Sequence, residues 1–531
     1  MSFRPLVAVG RVLRAQHLST LPRCARRQRS YATHALALAN AAVKPSKFGQ
    51  PLHPSHPHLL KEGEITPGIT AVEYEHRRRS LMESLPDGSL VLSFAGDVKY
   101  MSGRAYKYRQ ASDFWYLTGF EEPEAVLVLQ KKPSNERGYR AILFHRLPDP
   151  AQAIWDGART SSGDIVNMFG LDEAKDVQQL PGVLTKLLSD AEHVYVDMPA
   201  RNNRHRTQGL RSLFKYMGSA FTSQKGSMQD SVLDSLGALK PRPLAPEVGR
   251  LRSIKSTAEQ QVMRAAADVS ARAHYRTMRF VEPGMSEHDV AAYFEYVCAR
   301  MGAQRPAYVP VVASGPNALA IHYTANNQLI RENEMILMDA ACEYNGYASD
   351  ITRTFPVSGK FTPAQRELYG AVLHAQKHLI TLCTVHSGFS ISQIHQKSVE
   401  FLRIELAAIG FTDFAQWDGA VGSKVQKQMG ECYPHFVGHP VGIDLHESSH
   451  FDRHQPLKPG MVITIEPGLY IPPTPYFPTR FHNLGVRIED QVLVGEHEPV
   501  VLTVNAPKEI DDVEAACQRL LPLQDEFRTD V

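Results

Sequence analysis

The sequence predicts an α/β (α+β) protein of two domains, with further short segments at both ends. The chain has 531 residues, which is too long for one ordinary domain. Between residues 66 and 245, apolar runs that favour strands alternate with helical patterns, which is typical of an α/β domain. Pro241, Pro243 and Pro246 then mark a boundary, so we expect a second domain from residue 246.

The composition is that of an ordinary globular protein, with a formal net charge of +2 and 43% apolar residues. A charge so close to zero provides no electrostatic footprint for nucleic acid, and no nucleic-acid partner is predicted. No apolar run reaches the roughly 18 residues that a membrane span requires. The six cysteines are scattered without a Cys-x-x-Cys pair, which argues against a disulfide framework and suits a reducing compartment.

The amino-terminal segment predicts import into mitochondria. No acidic residue occurs before Glu62, whereas arginines stand at positions 4, 11, 14, 23, 26, 27 and 29. An arginine-rich, acid-free start is typical of a mitochondrial transit peptide, which we assign to residues 1–31; a plain basic tail is the alternative. We expect the protein in the matrix, and leave open association with the inner membrane and a second pool in the nucleus or cytosol. Residues 32–65, with several prolines and histidines, are predicted to form a linker.

Residues 66–245 are predicted to form the amino-terminal domain. A helix is expected over 73–85, and further helical segments near 162–190. Strands are expected over the apolar runs at 90–94, 114–118, 125–129, 141–144 and 194–196. No cluster of residues suited to chemistry occurs in this domain.

The second domain begins with two predicted helices. Apolar residues at helical spacing predict a long helix over 251–278. Ser286 and Asp289 are placed to cap the amino end of another helix over 286–301.

The most informative stretch runs from residue 335 to residue 355 and contains Asn345-Gly346 between two apolar runs. Asn-Gly in that setting is the strongest local signal for a hairpin, because both central positions of a type I′ turn need positive φ. With these residues at the turn, Asp339 and Asp350 point to the same side as diagonal neighbours, roughly 7–8 Å apart at Cα. Two carboxylates that converge in this way repel each other unless a cation or a proton intervenes, which indicates a site for a hard metal ion.

Four further stretches supply candidate ligands for the same site. They are His439 in the Gly- and Pro-rich loop 435–446, Glu466 at the end of strand 461–466, Glu489 on strand 484–494, and His322 upstream of the hairpin. Four carboxylates nearly balance the charge of two divalent cations and repel one another without them. A donor set of carboxylates with one imidazole favours a hard ion such as Mn²⁺ over zinc.

The motifs LMDAACEYNGYASDITRTF, HFVGHPVGIDLHE, ITIEPGLY and GVRIEDQV resemble those of the pita-bread metallopeptidase family, and most of all its aminopeptidase P branch. The resemblance covers about residues 57–505. It implies a pita-bread catalytic domain over 246–505, with a curved, mainly antiparallel sheet flanked by helices, and a carboxy-terminal tail over 506–531. The run HPHLLKEGEITPGITAVEYEHRR, together with the transit peptide, is similar to the mitochondrial members of that branch.

The resemblance also implies roles for single residues. The metal ligands would be Asp339, Asp350, His439, Glu466 and Glu489, with Asp350 and Glu489 bridging two divalent ions, expected to be Mn²⁺. The substrate-side and supporting residues would be His322, His435, His446 and Arg487, and Glu466 would also move protons.

The implied reaction is the removal of one residue from the amino terminus of a peptide or an imported protein, by a hydroxide held between the metals. Arg29-Ser30-Tyr31-Ala32 resembles a matrix-processing site, with cleavage expected after Ser30 and a second step that removes Tyr31. The family further implies a homodimer.

Three alternatives remain at this level. The enzyme could require Pro at the second substrate position, as a strict Xaa-Pro aminopeptidase or a prolidase does. A non-catalytic binding protein on the same fold is disfavoured because all five ligands are present, and a methionine aminopeptidase is disfavoured by the extra amino-terminal domain. The preference for the first substrate residue stays open.

Overall fold

The computed structural model describes residues 48–101, 104–197, 240–416 and 423–520. The predicted transit peptide and the processing site at Ser30 and Tyr31 lie outside the described residues. Within the described ranges, no helix is both long enough and apolar enough to cross a lipid bilayer.

The amino-terminal domain is built on a six-stranded mixed sheet. Its strands and those of two small hairpins are Glu64–Thr66, Ile69–Thr70, Ser89–Phe94, Tyr100–Met101, Arg104–Ala105, Val126–Lys131, Tyr139–His145, Glu173–Asp176, His193–Val196 and Arg242–Pro243. Its helices are Ala71–Ser84, Ser112–Thr118, Pro150–Asp156, Ser162–Phe169 and Leu180–Ser189, with a 3₁₀ turn at Val177–Gln179.

Both faces of this sheet are covered. Ser89–Phe94, Val126–Lys131 and Tyr139–His145 pair antiparallel in the centre, and the strands beyond them pair parallel. Because side chains alternate along a strand, Val91 faces one apolar cluster while Leu92 faces the cluster that includes helix Leu180–Ser189. Continuous apolar runs therefore mark the strands, as in other sheets that are buried on two sides.

The run at 114–118 is a helix, so the predicted strand there is wrong. Helix Ser112–Thr118 buries its last five residues and ends at Gly119, which has φ of 66° and donates its N–H to Trp115 O. A short, continuous apolar run occurs both in buried strands and in buried helices, so hydrophobic periodicity does not distinguish the two structures. The following glycine, a common C-cap, was the signal for a helix.

The predicted linker is also wrong over residues 48–65, which pack against the amino-terminal domain. Gln50 is only 5% exposed. Its side chain donates to Gly119 O at 2.8 Å and accepts from Glu121 N at 2.8 Å, and its own N–H donates to Thr160 Oγ1 at 2.9 Å. Proline content favours extended backbone but does not reveal whether that backbone is free or docked.

The second domain is built from antiparallel strand pairs flanked by helices, which confirms the predicted architecture. Its strands are Arg305–Pro306, Val311–Ser314, Met335–Asp339, Cys342–Tyr344, Tyr347–Ala348, Thr352–Pro356, Val462–Ile465, Gly468–Ile471, Leu484–Arg487, Asp490–Leu493 and Val500–Val501. Its helices are Ala245–Arg252, Thr257–Phe280, Glu287–Arg300, Pro363–Thr381, Ile391–Ala408, Thr412–Ala415, Lys424–Cys432 and Ile510–Cys517, with 3₁₀ turns at Gly315–Leu319 and Thr479–Phe481.

The long helix predicted over 251–278 is divided in two. Ala245–Arg252 ends before Ser256, which caps Thr257–Phe280 through a reciprocal capping box with Glu259. The cap at Ser286 is present as predicted, again as a capping box, with Asp289.

Part of the predicted carboxy-terminal tail belongs to the folded domain. Helix Ile510–Cys517 buries Val513 and Ala516 completely. Just before it, the carbonyl oxygens of Ala506 and Pro507 accept hydrogen bonds from the buried guanidinium of Arg353. The second domain therefore extends beyond residue 505.

The tip of the hairpin in the second domain rests on the amino-terminal domain. The Trp115 ring meets the Tyr347 ring edge-on, with centroids 5.7 Å apart. Gly346 at the turn has φ of 82°, and a Cβ on it would lie 2.5 Å from the Trp115 indole. Glycine is therefore required at this position for two reasons, its backbone conformation and the space that it leaves for the Trp115 side chain.

Gly346→Ala is expected to lower the melting temperature more than Gly63→Ala does. Both positions have nearly the same positive φ, but nothing lies within 4 Å of a Cβ at Gly63. The backbone conformation alone costs roughly 1–3 kcal/mol for a residue other than glycine, and the indole contact adds to it only at position 346. Thermal unfolding followed by circular dichroism measures the difference, and equal losses in the two variants would contradict this packing.

Candidate active site and metal centre

The hairpin predicted from Asn345-Gly346 is present with the predicted register. The two turn residues have φ of 50° and 82°, as a type I′ turn requires. Asp339 pairs with Thr352 across the strands. That register brings Asp339 and Asp350 to the wall of the same cavity.

All nine residues singled out in the sequence line this cavity, which has a volume of about 560 Å³. They come from the hairpin, the segment before it, the loop after helix Lys424–Cys432 and the last strands of the domain. The five expected ligands among them are Asp339, Asp350, His439, Glu466 and Glu489, and the other four residues are His322, His435, His446 and Arg487.

Three of the expected ligands form a compact inner group. Ligand atoms of Asp350, His439 and Glu489 all lie within 4.8 Å of one another. His439 Nε2 lies 3.3 Å from Asp350 Oδ2, while its Nδ1 is 3.2 Å from Pro440 O. A backbone carbonyl only accepts, so Nδ1 carries a proton and Nε2 faces the carboxylates. A metal-binding histidine presents its ring in this way, with Nε2 available to a cation once its proton has left.

Glu466 and Asp339 lie against this inner group. Glu466 Oε1 is 3.7 Å from His439 Nε2. Asp339 Oδ2 accepts a hydrogen bond from Arg487 Nη2 at 2.7 Å. Asp339 and Asp350 are also joined by Tyr308, whose hydroxyl is 2.5 Å from an oxygen of the first and 2.8 Å from an oxygen of the second.

Tyr308 was not predicted from the sequence. It precedes strand Val311–Ser314 in a run with no polar periodicity, so nothing in its neighbourhood distinguishes it from a core aromatic residue. Two threonines were missed as well. Thr352 Oγ1 donates to Glu489 Oε2 at 2.6 Å, and Thr464 Oγ1 donates to Glu466 Oε1 at 3.3 Å. These hydroxyls fix the orientation of the carboxylates they contact.

Burial makes the carboxylates reluctant to ionise in the metal-free protein. It raises the pKa of Glu466 to about 7, against the opposing charges of His439 and Arg487. Burial, and next to it the charge of Asp350, raise the pKa of Glu489 well above its ordinary value. Burial opposes the charged form of His439 too, yet the hydrogen bond and charge of Asp350 raise its pKa to about 9. The cluster therefore holds protons wherever it lacks cations.

This donor set fits divalent cations. Carboxylates and an imidazole are ligands of hard and borderline ions, and no cysteine lies in the cavity wall. Arg487 already neutralises part of the charge of Asp339, which leaves Asp350, Glu466 and Glu489 with the greatest need for a cation.

His435 belongs to a hydrogen-bonded chain that ends at Asp339. Its Nδ1 donates to Phe436 O at 2.8 Å, and its Nε2 accepts from the Tyr470 hydroxyl at 3.0 Å. Tyr470 in turn accepts from Arg487 Nη1 at 2.7 Å. Burial, with the charge of Arg487, lowers the pKa of His435 to about 3, so the ring is neutral. Both ring nitrogens are therefore engaged within the protein.

His446 and His322 face the open part of the cavity. The His446 ring stands edge-on to the His439 ring with centroids 4.3 Å apart, and burial together with the charge of His439 lowers its pKa. Both histidines are exposed side chains on the cavity wall. They are the imidazoles in this group that a molecule entering the cavity meets first.

Comparison with known proteins identifies the family. Residues 261–496 match the family described as Metallopeptidase family M24, and residues 74–195 match the Aminopeptidase P, N-terminal domain. Intermediate cleaving peptidase 55 of Saccharomyces cerevisiae is 38% identical over 478 residues, which cover 89% of each chain. The chain belongs to metallopeptidase family M24. It is a metalloaminopeptidase of the aminopeptidase P type, as the sequence motifs predicted.

One further relative and a solved structure of the yeast peptidase support this placement. Human Xaa-Pro aminopeptidase 3 is 36% identical over 490 residues, covering 90% of this chain and 92% of the human protein. A crystal structure of the yeast peptidase that lacks 58 amino-terminal residues matches with a TM-score of 0.74 at 34% identity, covering 87% of this chain and 100% of that one. The predicted resemblance to the mitochondrial members and the pita-bread fold of the M24 domain are both confirmed.

The metal-free protein is expected to lose the stability that Glu466 and His439 contribute as the pH rises through about 7 and then through about 9. Glu466 and His439 both have a higher pKa in the folded protein than in the unfolded chain, so the folded state binds more protons. Stability is then fully present at low pH and is lost as the pH passes through the folded values.

Melting temperatures with chelator and with Mn²⁺ test this expectation. The gap between the two forms should widen with pH, because cations replace protons among the carboxylates. Histidines with lowered pKa, such as His435, titrate in the unfolded chain of both forms and cancel in the difference. A gap that is constant across this range would contradict the expected protonation of the cluster.

Proposed function

We propose that this chain is a mitochondrial dinuclear-metal aminopeptidase. In this proposal it removes a single residue from the free amino terminus of peptides, or of imported proteins after their presequence has been cleaved. The observation that carries the proposal is the convergence of five candidate ligands, three histidines and Arg487 on one open cavity. The names of two relatives support the substrate class. Both are called intermediate cleaving peptidase 55, one from yeast and one from Arabidopsis thaliana, and the name of the second adds the word mitochondrial.

Asp339, Asp350, His439, Glu466 and Glu489 would hold two divalent cations. When bound, such ions would lower the pKa of a water molecule and polarise the scissile carbonyl. Mn²⁺ is the proposed metal, because oxygen ligands outnumber the single imidazole. Glu466 is the proposed proton carrier between water and the leaving amine, since it is a proposed ligand that lies on the open cavity wall.

The histidines divide into two kinds. His446, on the open wall beside His439, is the proposed donor to the oxyanion that develops on the substrate carbonyl. His322, on the same wall, would position the substrate. His435 has both ring nitrogens occupied, so its proposed part is to orient Tyr470 and, through it, Arg487.

Two further features belong to this proposal. The arginine-rich amino terminus and the relatives support a mitochondrial location, with residues 1–31 as the transit peptide. The family resemblance supports a homodimer. The boundaries proposed for the domains are an amino-terminal aminopeptidase P-type domain over 66–245 and a catalytic domain from residue 246, now extended to include helix Ile510–Cys517.

A strict Xaa-Pro aminopeptidase is the second candidate function. It is favoured by the name of the human relative, Xaa-Pro aminopeptidase 3, which has similar identity and coverage. The two functions share every ligand and differ only in whether Pro must follow the first substrate residue.

A peptide with the sequence of residues 31–40 of this chain, YATHALALAN, distinguishes the candidates. The purified Mn²⁺ enzyme is expected to release Tyr31 from it, at a rate within about tenfold of the rate for the same peptide with Ala32→Pro. An amino-terminally acetylated peptide should not react, because the proposal requires a free amino group. Mass spectrometry measures the products.

Glu466→Gln should abolish release, by at least about a hundredfold in kcat, because the proton carrier is lost. Glu498→Gln, the same change at an exposed glutamate outside the cavity, is the matched control and should be normal. Cleavage of the Ala32→Pro peptide alone would instead establish a strict Xaa-Pro aminopeptidase. Cleavage restricted to dipeptides would establish a prolidase.

A further inference from the structure

A buried arginine, Arg252, is one of the residues that join the loop presenting His446 to the amino-terminal domain, beside Arg109 and Ser112, which bind the loop directly. Arg252 lies at the end of helix Ala245–Arg252, and its side chain is 4% exposed. Its Nε and Nη2 donate to the two oxygens of Glu447 at 2.8 and 2.9 Å. Its Nη2 also donates to Asp444 Oδ2 at 2.7 Å, and its Nη1 donates to Asp113 Oδ1 at 2.6 Å.

These partners lie on both sides of His446 and in the other domain. Asp444 and Glu447 flank Leu445-His446, so the guanidinium binds the loop on both sides of the histidine. Asp113 belongs to helix Ser112–Thr118 of the amino-terminal domain. A planar guanidinium with its N–H groups in a fixed fork holds several carboxylates in one geometry, which a lysine ammonium does not do.

The loop has little freedom once Glu447 is held. Glu447 Oε2 accepts from Asp444 N at 3.1 Å, and Glu447 N donates to Pro440 O at 2.9 Å. A Cβ on Gly442 would lie 2.6 Å from Glu447 Oε2, so the backbone passes directly over this carboxylate. From the amino-terminal domain, Arg109 adds a hydrogen bond from Nη2 to Ile443 O at 2.8 Å.

We propose that Arg252 is a positioning residue for His446, through which docking of the amino-terminal domain sets the geometry of the active site. The proposal rests on the function proposed above, in which His446 donates to the oxyanion. Arg252 is absent from the cavity wall and acts on the reaction only through the loop that it grips. Loss of the fork should therefore displace His446 and leave the other groups of the site in place.

The His322 loop has an anchor of the same kind, on independent evidence. Glu287 is fully buried at the start of helix Glu287–Arg300 and accepts five hydrogen bonds from the segment 314–328. The donors and their distances are Ser314 N at 2.8 Å, Ser314 Oγ at 2.7 Å, Asn317 Nδ2 at 2.9 Å, Tyr323 OH at 2.8 Å and Gln328 N at 3.0 Å. Glu287 is in the same sense a positioning residue for His322, which precedes Tyr323.

Double-mutant cycles on kcat/KM for the YATHALALAN peptide test both assignments. Arg252→Lys is expected to lower kcat/KM about tenfold in the wild-type background, because small displacements of a catalytic group are costly. In the His446→Ala background the same change should cost less than about twofold, since its target is already gone. In the His322→Ala background it should again cost about tenfold.

Glu287→Gln provides the mirrored cycle. It removes the charge of Glu287 with little change of shape. Its effect on kcat/KM should vanish in the His322→Ala background and persist in the His446→Ala background. Asp113→Asn weakens only the bond between Arg252 and the amino-terminal domain, while Arg109 and Ser112 keep their bonds to the loop, so it should act like a weaker Arg252→Lys. Metal content and melting temperature are measured for every variant and should match the wild type for Asp113→Asn.

The outcomes distinguish a failure of the positioning role from a failure of the proposed function of His446. If His446→Ala leaves kcat/KM unchanged, the proposed role of His446 fails and the inference with it. If His446→Ala is severe but Arg252→Lys and Asp113→Asn cost the same factor in all three backgrounds, the function stands and the positioning role is overturned. Both assignments are supported if the effect of Arg252→Lys vanishes only in the His446→Ala background and the effect of Glu287→Gln vanishes only in the His322→Ala background.

Discussion

Mutual repulsion among buried carboxylates is the constraint on which this active site depends. Asp350 and Glu489 are 4% and 2% exposed, ligand atoms of both lie within 4.8 Å of one of His439, and His439 Nε2 lies 3.7 Å from Glu466 Oε1. In a region of low polarity their charges cannot be carried without counter-charge, so either protons or cations must be present. The hydroxyl of Tyr308 and the guanidinium of Arg487 supply part of the compensation, both of them to Asp339. The remaining need for positive charge is what the proposed cations would meet.

The rest of the fold serves to hold these groups together against that repulsion. The ligands come from strands and loops that are distant in the sequence, and each is tied by its own neighbours. Thr352 joins the hairpin to Glu489, and Thr464 joins the strand before Glu466 to the backbone of His439. Further out, buried charges fasten the loops: Arg353 pairs with Asp490 beside Glu489, and Arg252 binds the loop of His446. Removal of one partner of such a buried pair would leave an uncompensated charge and is expected to destabilise the fold.

Sequence reasoning singled out the five proposed ligands through local patterns together with the family resemblance. Asn345-Gly346 specifies a hairpin register, and that register alone brings Asp339 and Asp350 together. Alternation along Val462–Ile465 and Leu484–Arg487 indicates which residues leave the apolar face. The strand predicted over 484–494 is interrupted at 488–489, where the backbone departs from the ladder and Glu489 N donates to Thr352 O. Alternation predicted the side on which Glu489 lies but not this break.

What the sequence did not reveal depends on contacts between distant segments. Tyr308, Arg252 and Glu287 have no pattern around them, because their partners lie in other parts of the chain. The docked segment around Gln50 was missed for the same reason, since burial against a neighbour overrides local composition. Trp155, by contrast, is 83% exposed on helix Pro150–Asp156, although its size would favour burial.

Anomalous diffraction from crystals of the Mn²⁺-loaded protein tests the account most directly. It predicts two peaks in the cavity, both within about 2–2.5 Å of carboxylate oxygens, with Asp350 and Glu489 touching both and His439 Nε2 touching one. Peaks elsewhere on the protein, or an empty cavity with the five side chains apart, would contradict the claim that these carboxylates exist to hold a pair of cations.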